Sequence, residues 1–206
     1  MSEPVSAFRR IAPHVVVPGL LGEAAVGRLL SHIEASEPKF EATRIGFAET
    51  ARLAPEVRTS SKMRFGGEAA AEFMAAVTTV VPSLLERLGM RPFTPSGYEL
   101  ELVAHGDGAF YRRHLDVHVG EQGPAHHRVL SAVYYFHRQP RAFSGGALRI
   151  FSFDLGASVD VEPIHDTLIA FATSAPHEVL PVAVPSRAFL DSRFAINCWV
   201  LKARTK

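Results

Sequence analysis

Two stretches near the start of the chain repeat apolar residues at helical spacing. From about Leu20 to Ala35, residues Leu21, Ala25, Leu29, Leu30 and Ile33 form one stripe. From about Gly67 to Leu88, residues Phe73, Val77, Val80, Val81, Leu84, Leu85 and Leu88 fall broadly on one side, which predicts a second helix. Pro82 lies inside this helix and is expected to kink it or divide it in two, because proline lacks the N–H and crowds the preceding turn. Gly89 is placed to stop it. Between the two helices, Phe40 to Arg64 is polar, basic and weakly periodic, with Arg44, Arg52, Arg58, Lys62 and Arg64. It reads as a loop at 40–64, with two readings open: a solvated loop, or one that folds over a site as a substrate lid.

After residue 95 the pattern changes to short β-like runs separated by turn residues. The predicted strands are Tyr98–His105, Ala109–Arg113, Val129–His137, Ala147–Phe151, Ser158–Val161, Asp166–Ala172, Glu178–Val184 and Arg193–Lys202. Eight strands in that span leave no room for crossover helices, so the sheets should be largely antiparallel. The strands from Val129 and from Arg193 are apolar on both faces, as strands are when one face meets the interior and the other is covered by helices. The expected fold is mainly β with α: a sandwich or jelly roll of about eight strands, with the N-terminal helices packed on the larger sheet. The organisation expected is one domain over 1–206, with 1–95 as helical support and 96–206 as the β core.

Composition narrows the function. Apolar residues make up 47% and charged residues 21%, both ordinary globular values. Lys and Arg number 22 against 21 Asp and Glu, and a net charge of +1 gives no reason to expect a nucleic-acid partner. The single cysteine, Cys198, excludes an internal disulfide framework and a Cys-rich zinc site, and reads as a small core residue. No stretch approaches the roughly 20 apolar residues of a membrane span, and the first residues lack a signal-peptide pattern. A cytoplasmic protein without a membrane partner is therefore expected. The unusual count is ten histidines.

One His-x-Asp, His114-Leu115-Asp116, gives that excess a chemical direction. In an extended segment residues i and i+2 face the same way, so an imidazole and a carboxylate reach one point. A third ligand from a distant strand completes a 2-His-1-carboxylate triad, which suits Fe(II) and leaves open positions. His177, in Ala175-Pro176-His177-Glu178-Val179, is the best third ligand. In the last strand, alternation puts Arg193, Ala195, Asn197 and Trp199 on one face and Phe194, Ile196, Cys198 and Val200 on the other. The second set suits packing against the helices. The first places an arginine inside the sandwich, where it should meet an anion, and its planar fork suits a carboxylate. Tyr135 shares an inward face with Val129, Ser131 and Val133 and is positioned to add a hydroxyl to the same anion. Triad, arginine and tyrosine describe a pocket for a chelating dicarboxylate, held by the metal at one end and by Arg193 at the other.

These residues resemble the prolyl 4-hydroxylase branch of the Fe(II)/2-oxoglutarate-dependent oxygenases, including the hypoxia-factor prolyl hydroxylases. The match runs from about Tyr98 to Leu201 through five anchors: 108–116, 133–136, 143–151, 176–179 and 193–199. It implies a double-stranded β-helix. It implies His114, Asp116 and His177 as iron ligands and Arg193, assisted by Tyr135, as the partner of the distal carboxylate of 2-oxoglutarate. Val133, Leu148, Val179 and Trp199 would line the pocket, and Gly145-Gly146 would form the tight turn before Ala147. Asn197 faces inward and either bonds a ligand or serves the structure. Two departures stand out. Ala104 occupies a position, ten residues before His114, where the family often has tyrosine. Sixteen residues separate His177 from Arg193, where about ten are common, and Arg187 stands at the common distance.

The resemblance further implies Fe(II), 2-oxoglutarate as cosubstrate, O2, and ascorbate as a reductant. The expected reaction is hydroxylation of an aliphatic C–H with release of succinate and CO2, on a prolyl or other residue of a peptide or protein. The alternatives are the same chemistry on a free amino acid or small metabolite, and a cupin-like metal-binding module without turnover. Of the other histidines, His118 is expected at the pocket rim and His126 and His127 in a solvated loop. His14, His32, His105, His137 and His165 are expected to be surface or satisfied core residues.

Overall fold

A computed structural model describes residues 7–46, 51–117 and 126–203. His118 and the stretch 47–50 of the expected loop lie outside the described residues. In chain order the elements are β1 (His14–Pro18), α1 (Glu23–Ser36), β2 (Glu41–Ala42), β3 (Arg58–Thr59), β4 (Ser61–Arg64), α2 (Gly67–Arg87), β5 (Gly97–His105), β6 (Phe110–His114), β7 (His126–Phe136), β8 (Ser144–Gly145), β9 (Leu148–Phe151), β10 (Ser158–Val161), β11 (Thr167–Ala172), β12 (His177–Val179), β13 (Val182–Ala183) and β14 (Arg193–Ala203). The protein is mainly β with two α-helices among the described residues.

Seven strands form one antiparallel sheet in the order β1-β11-β7-β14-β5-β4-β2, and five form a second in the order β10-β9-β12-β6-β3. The long β14 is the spine of the larger sheet. It pairs with β5 on one side (Arg193 opposite His105) and β7 on the other (Asn197 opposite Val133). One face of that sheet carries Leu102, Ala104, Leu130, Ala132, Tyr134, Phe136, Phe194, Ile196, Cys198 and Val200, packed against the buried stripes of the two helices. The other face carries Val133, Tyr135, Ile169, Phe171 and Ala195, which meet Leu148 and Ile150 of the smaller sheet. Alternation along β14 divides its side chains between these two cores as the sequence indicates. Each fully buried side chain such as Phe73 or Phe194 contributes roughly 1.5–3 kcal/mol through lost water contact.

Several expectations need correction. The described residues hold fourteen strands, not about eight. The sequence pattern predicts no strand before residue 95, yet β1 forms an edge of the larger sheet beside β11. The 40–64 segment is not simply a loop. Its β4 pairs with β5, its β2 with β4, and its β3 with β6, so it adds edges to both sheets. Its side chains are half-buried or exposed there, which is why no core pattern marks it. The run Glu178–Val184 divides into β12 and β13, and His126 and His127 begin β7 instead of lying in a loop.

Helix α2 continues through Pro82, so the expected division does not occur. It ends as Gly89 predicts. Gly89 has φ +65°, its N–H donates to the Glu86 carbonyl (2.9 Å), and the Met90 N–H donates to the Leu85 carbonyl (2.9 Å). This is the paired C-terminal closure that a left-handed residue permits. Contrary to the sequence expectation, α2 is long and apolar enough to cross a membrane by length and composition. In the fold its stripe of Phe73, Val77, Val81, Leu84 and Leu85 is buried on the sheet.

Candidate metal and 2-oxo acid site

His114 ends β6, Asp116 follows two residues later, and His177 opens β12. Strands β6 and β12 are neighbours, and His114 and His177 stand opposite each other in their register. Each of His114, Asp116 and His177 offers one ligand atom, and these atoms lie within 4.8 Å of one another. His114 Nε2 lies 3.6 Å from Asp116 Oδ1, and His177 Nε2 lies 3.6 Å from Asp116 Oδ2.

The backbone fixes both tautomers. His114 Nδ1 is 2.9 Å from the Arg112 carbonyl, and His177 Nδ1 is 2.9 Å from the Ala175 carbonyl. A carbonyl only accepts, so each Nδ1 carries the proton and each Nε2 turns a lone pair toward the carboxylate. Asp116 is held by the Ser131 hydroxyl, which donates to Oδ2 at 2.6 Å, and by its own N–H, which donates to the Thr173 carbonyl. Tyr111 stacks on the His114 ring at 3.6 Å between centroids, and Phe171 lies 4.7 Å from the His177 ring. Burial holds His114 below the ordinary imidazole range, with the second imidazole reinforcing the effect. Burial alone would raise the Asp116 carboxyl. The two imidazoles, the Ser131 hydroxyl and the Trp199 indole outweigh it and keep the group below the ordinary carboxylate range. Two imidazoles that keep Nε2 free beside a carboxylate form a donor set suited to a divalent metal ion.

A cavity of about 480 Å³ opens over these residues, between the two sheets. Val133, Leu148, Val179, Asn197, Trp199 and Arg193 line it. Arg193 is 1% exposed. Its guanidinium carbon lies 4.7 Å from the Tyr135 ring centroid, so Tyr135 sits beneath the arginine and not on the cavity wall. Arg193 Nε and Nη2 and the Tyr135 hydroxyl are buried without a hydrogen-bond partner among the described residues. Burial lowers the Arg193 value from its usual range, and it pushes the Tyr135 phenol up to about 12 despite the adjacent cation. A buried guanidinium without an anion costs several kcal/mol or more, so these donors fit a carboxylate.

Within the Gly145-Gly146 pair, Gly146 makes room for Arg193. Both have positive φ, and a Cβ on Gly146 would meet Arg193 Cδ at 2.6 Å and Val182 Cγ2 at 2.8 Å. Arg187 does not enter the site. Its side chain is 82% exposed, 3.4 Å from the Asp107 carboxylate.

Sequence reasoning missed His105. Ala104 faces the helices, and its neighbour His105 faces the cavity, with Nδ1 3.2 Å from Arg193 Nη1. It is neither a surface residue nor a satisfied core residue. The strand register was the available signal, since His105 stands directly opposite Arg193 in the β5–β14 pair. Also missed were Arg58, Tyr111, Arg128 and Glu99 on the cavity wall. Arg128 lies over the Trp199 ring at 3.7 Å and pairs with Glu99, and Arg58 lies over the Tyr111 ring at 4.6 Å. His137, expected at the surface or satisfied in the core, is buried beside His165 away from the cavity. Cys198 is buried on the helix side of β14, where burial pushes its thiol up to about 12.

The family model of the 2OG-Fe(II) oxygenase superfamily matches residues 100–201. An uncharacterized PKHD-type hydroxylase of Synechocystis is 39% identical over 130 residues, which cover 59% of this chain. The chain spans 42% of the length of that curated relative. Among solved structures, a Pseudomonas putida prolyl-4-hydroxylase superposes with a TM-score of 0.67 at 26% identity, covering 93% of this chain and 94% of that one. A Trichoplax adhaerens prolyl hydroxylase, solved with a hypoxia inducible factor peptide fragment, superposes with a TM-score of 0.65 at 22% identity. It covers 91% of this chain and 82% of its own.

Proposed function

Through residues 100–201 the chain belongs to the 2OG-Fe(II) oxygenase superfamily, as a prolyl 4-hydroxylase-like member, and from that premise we propose that it hydroxylates an aliphatic C–H of a prolyl or other residue in a peptide or protein, releasing succinate and CO2. The observation that carries this reading is the coincidence of two unsatisfied groups in one cavity. Three converging ligand atoms await a cation, and a buried Arg193 with an unpartnered Tyr135 hydroxyl awaits an anion. A cupin-like binding module has no need of the second group. We read the two facing sheets as a double-stranded β-helix, which holds both groups on inward-facing positions.

In this reading His114, Asp116 and His177 hold Fe(II), and Arg193 with Tyr135 binds the distal carboxylate of 2-oxoglutarate. Bound together with O2, the metal and cosubstrate supply the oxidising chemistry of the hydroxylation. The protein orients and excludes water. Ser131 fixes the Asp116 carboxylate, the two carbonyl-bound Nδ1–H groups fix the imidazoles, and Val133, Leu148 and Val179 keep the cosubstrate channel apolar.

A peptide is favoured over a free amino acid because the cavity is not closed. It shares Glu99, Glu101, Arg128 and Trp199 with a second cavity that reaches the start of α2, and Arg44, Gly46 and Lys62 with a third along β2 and β4. These form a trough longer than one residue needs. The Trichoplax protein that binds a peptide has a similar fold. The test is to load the protein with Fe(II) without oxygen, then add 2-oxoglutarate, air and a panel of proline-containing peptides. Succinate release with gain of one oxygen atom on a peptide is expected. Turnover only with free amino acids would overturn the peptide reading, and no succinate under any condition would overturn the enzyme reading.

A further inference from the structure

His105 is held by its neighbour in a tautomer opposite to that of the two metal-facing histidines. Arginine nitrogens only donate, so the 3.2 Å contact from Arg193 Nη1 requires a lone pair on His105 Nδ1. The ring proton is then on Nε2. A doubly protonated imidazolium has no lone pair for Arg193 and would place two cations together in a buried site. Burial, with Arg193 adding to it, accordingly holds His105 well below the ordinary imidazole range. His105 is 3% exposed and lines the cavity, and its Nε2 has no hydrogen-bond partner among the described residues. A buried donor left unmade is costly, because it has given up water without gaining a partner. The imidazole thus joins Arg193 Nε, Arg193 Nη2 and the Tyr135 hydroxyl beneath it as a fourth donor without a partner around the guanidinium.

We propose that His105 is a positioning residue for the cosubstrate: Arg193 fixes its tautomer, and its Nε2–H donates to the distal carboxylate that Arg193 receives. This rests on the oxygenase reading above and deepens it. A carboxylate has about four acceptor sites, so it can receive the arginine, the tyrosine and the histidine together. The His105–Arg193 contact also orients the guanidinium, because Nη1 is engaged and Nε and Nη2 are left for the ligand. The same donors discriminate among 2-oxo acids. A cosubstrate with a carboxylate at the far end satisfies the whole donor set, whereas one with a methyl group there leaves every donor unmade.

Calorimetry on the full chain loaded with Mn(II) tests this without turnover. 2-Oxoglutarate and 2-oxobutyrate, which lacks the distal carboxylate, are titrated into wild type, His105→Phe and His105→Gln. His105→Phe is expected to bind 2-oxoglutarate about tenfold to a hundredfold more weakly, with Mn(II) affinity and 2-oxobutyrate binding unchanged. His105→Gln keeps an acceptor for Arg193 and a donor for the ligand, and should recover most of the loss. Equal weakening of both acids, or no weakening of either, would overturn the role of His105. Failure of wild type to bind 2-oxoglutarate at all would instead overturn the oxygenase reading. Should the phenylalanine variant not fold, nitrogen-15 spectra of the wild-type imidazoles decide. The His105 Nε2–H signal, assigned by its absence in His105→Gln, should move downfield with 2-oxoglutarate and stay in place with 2-oxobutyrate. A signal indifferent to both acids refutes the proposal.

Discussion

His114 and His177 are mirror-like partners across β6 and β12: each turns Nδ1 onto the carbonyl two residues before it, at 2.9 Å, and each leaves Nε2 for the space beside Asp116. The tautomer is set by backbone that exists before any metal arrives, so the donor set is pre-organised. His114→Ala or Asp116→Ala should remove detectable Fe(II) or Mn(II) binding and substrate-independent turnover of 2-oxoglutarate. Ser131→Ala removes only the hydroxyl that fixes Asp116 and should weaken metal affinity by about tenfold to a hundredfold. Metal titrations measure both. Undiminished binding or succinate production in either of the first two variants would sink the assignment.

Burial separates the two arginines. Arg193 is enclosed with two unpartnered nitrogens, whereas Arg187 is solvated beside Asp107. Arg193→Ala should raise the 2-oxoglutarate requirement about a hundredfold, the loss expected for a bidentate charge-assisted pair. Arg187→Ala should change it little, since solvent screens such surface pairs. Gly146→Ala is expected to act like a weaker Arg193 variant, because its Cβ would press on Arg193 Cδ from 2.6 Å. Measured KM values for 2-oxoglutarate rank the three, and a larger effect at Arg187 than at Arg193 would reverse the assignment.

The legibility of this fold in its sequence follows the physics of burial. Strands β7 and β14 are buried on both faces, so they read as continuous apolar runs, and parity along β14 separates the helix-facing Phe194 and Ile196 from the inward Arg193. His114 and Asp116 were legible because a two-residue spacing in extended chain has one geometric meaning. Strands β2, β3 and β4 were not, because their positions are half-buried or exposed and polar residues suffice there. His105 was missed for a different reason. Counting ten residues back from His114 reached Ala104, but the turn at 106–109 breaks the strand alternation, so the count does not preserve the face. Only the pairing of β5 with β14 shows that position 105 points inward.

Asp166 joins the larger sheet to the start of α1. Its carboxylate accepts the N–H of Leu21 (2.9 Å), the N–H of Gly22 (2.9 Å) and the Tyr134 hydroxyl (2.7 Å). No side chain of α1 caps its own N-terminus, so Asp166 supplies this from a distance. Asp166→Ala should destabilise the protein by about 2–3 kcal/mol, since the buried end of the Tyr134 hydroxyl loses its acceptor as well. Tyr134→Phe removes one of the three bonds and should cost about 1 kcal/mol. Denaturant unfolding measures both, with metal affinity as a control expected to hold. Equal losses in the two variants would show that the helix contacts contribute nothing.

Cys198 is a buried thiol on the helix side of β14, 1% exposed among Ile196, Val200 and the α2 stripe. Burial raises it from 9.0 to about 12, because the apolar surroundings disfavour the thiolate. The folded chain therefore holds this proton more tightly than the unfolded chain does. The sign follows: the contribution to stability is fully present below the unfolded value and is lost as pH rises through the interval from 9.0 to about 12. Two outcomes are expected. Iodoacetamide at pH 8 should label Cys198 only through opened molecules, so the rate should rise with denaturant and stay far below that of the denatured chain. Unfolding free energy should also fall above pH 9, and less steeply in Cys198→Ala, which has no proton to lose. Labelling of the native protein as fast as of the denatured chain would show that the helices do not seal this face of the sheet.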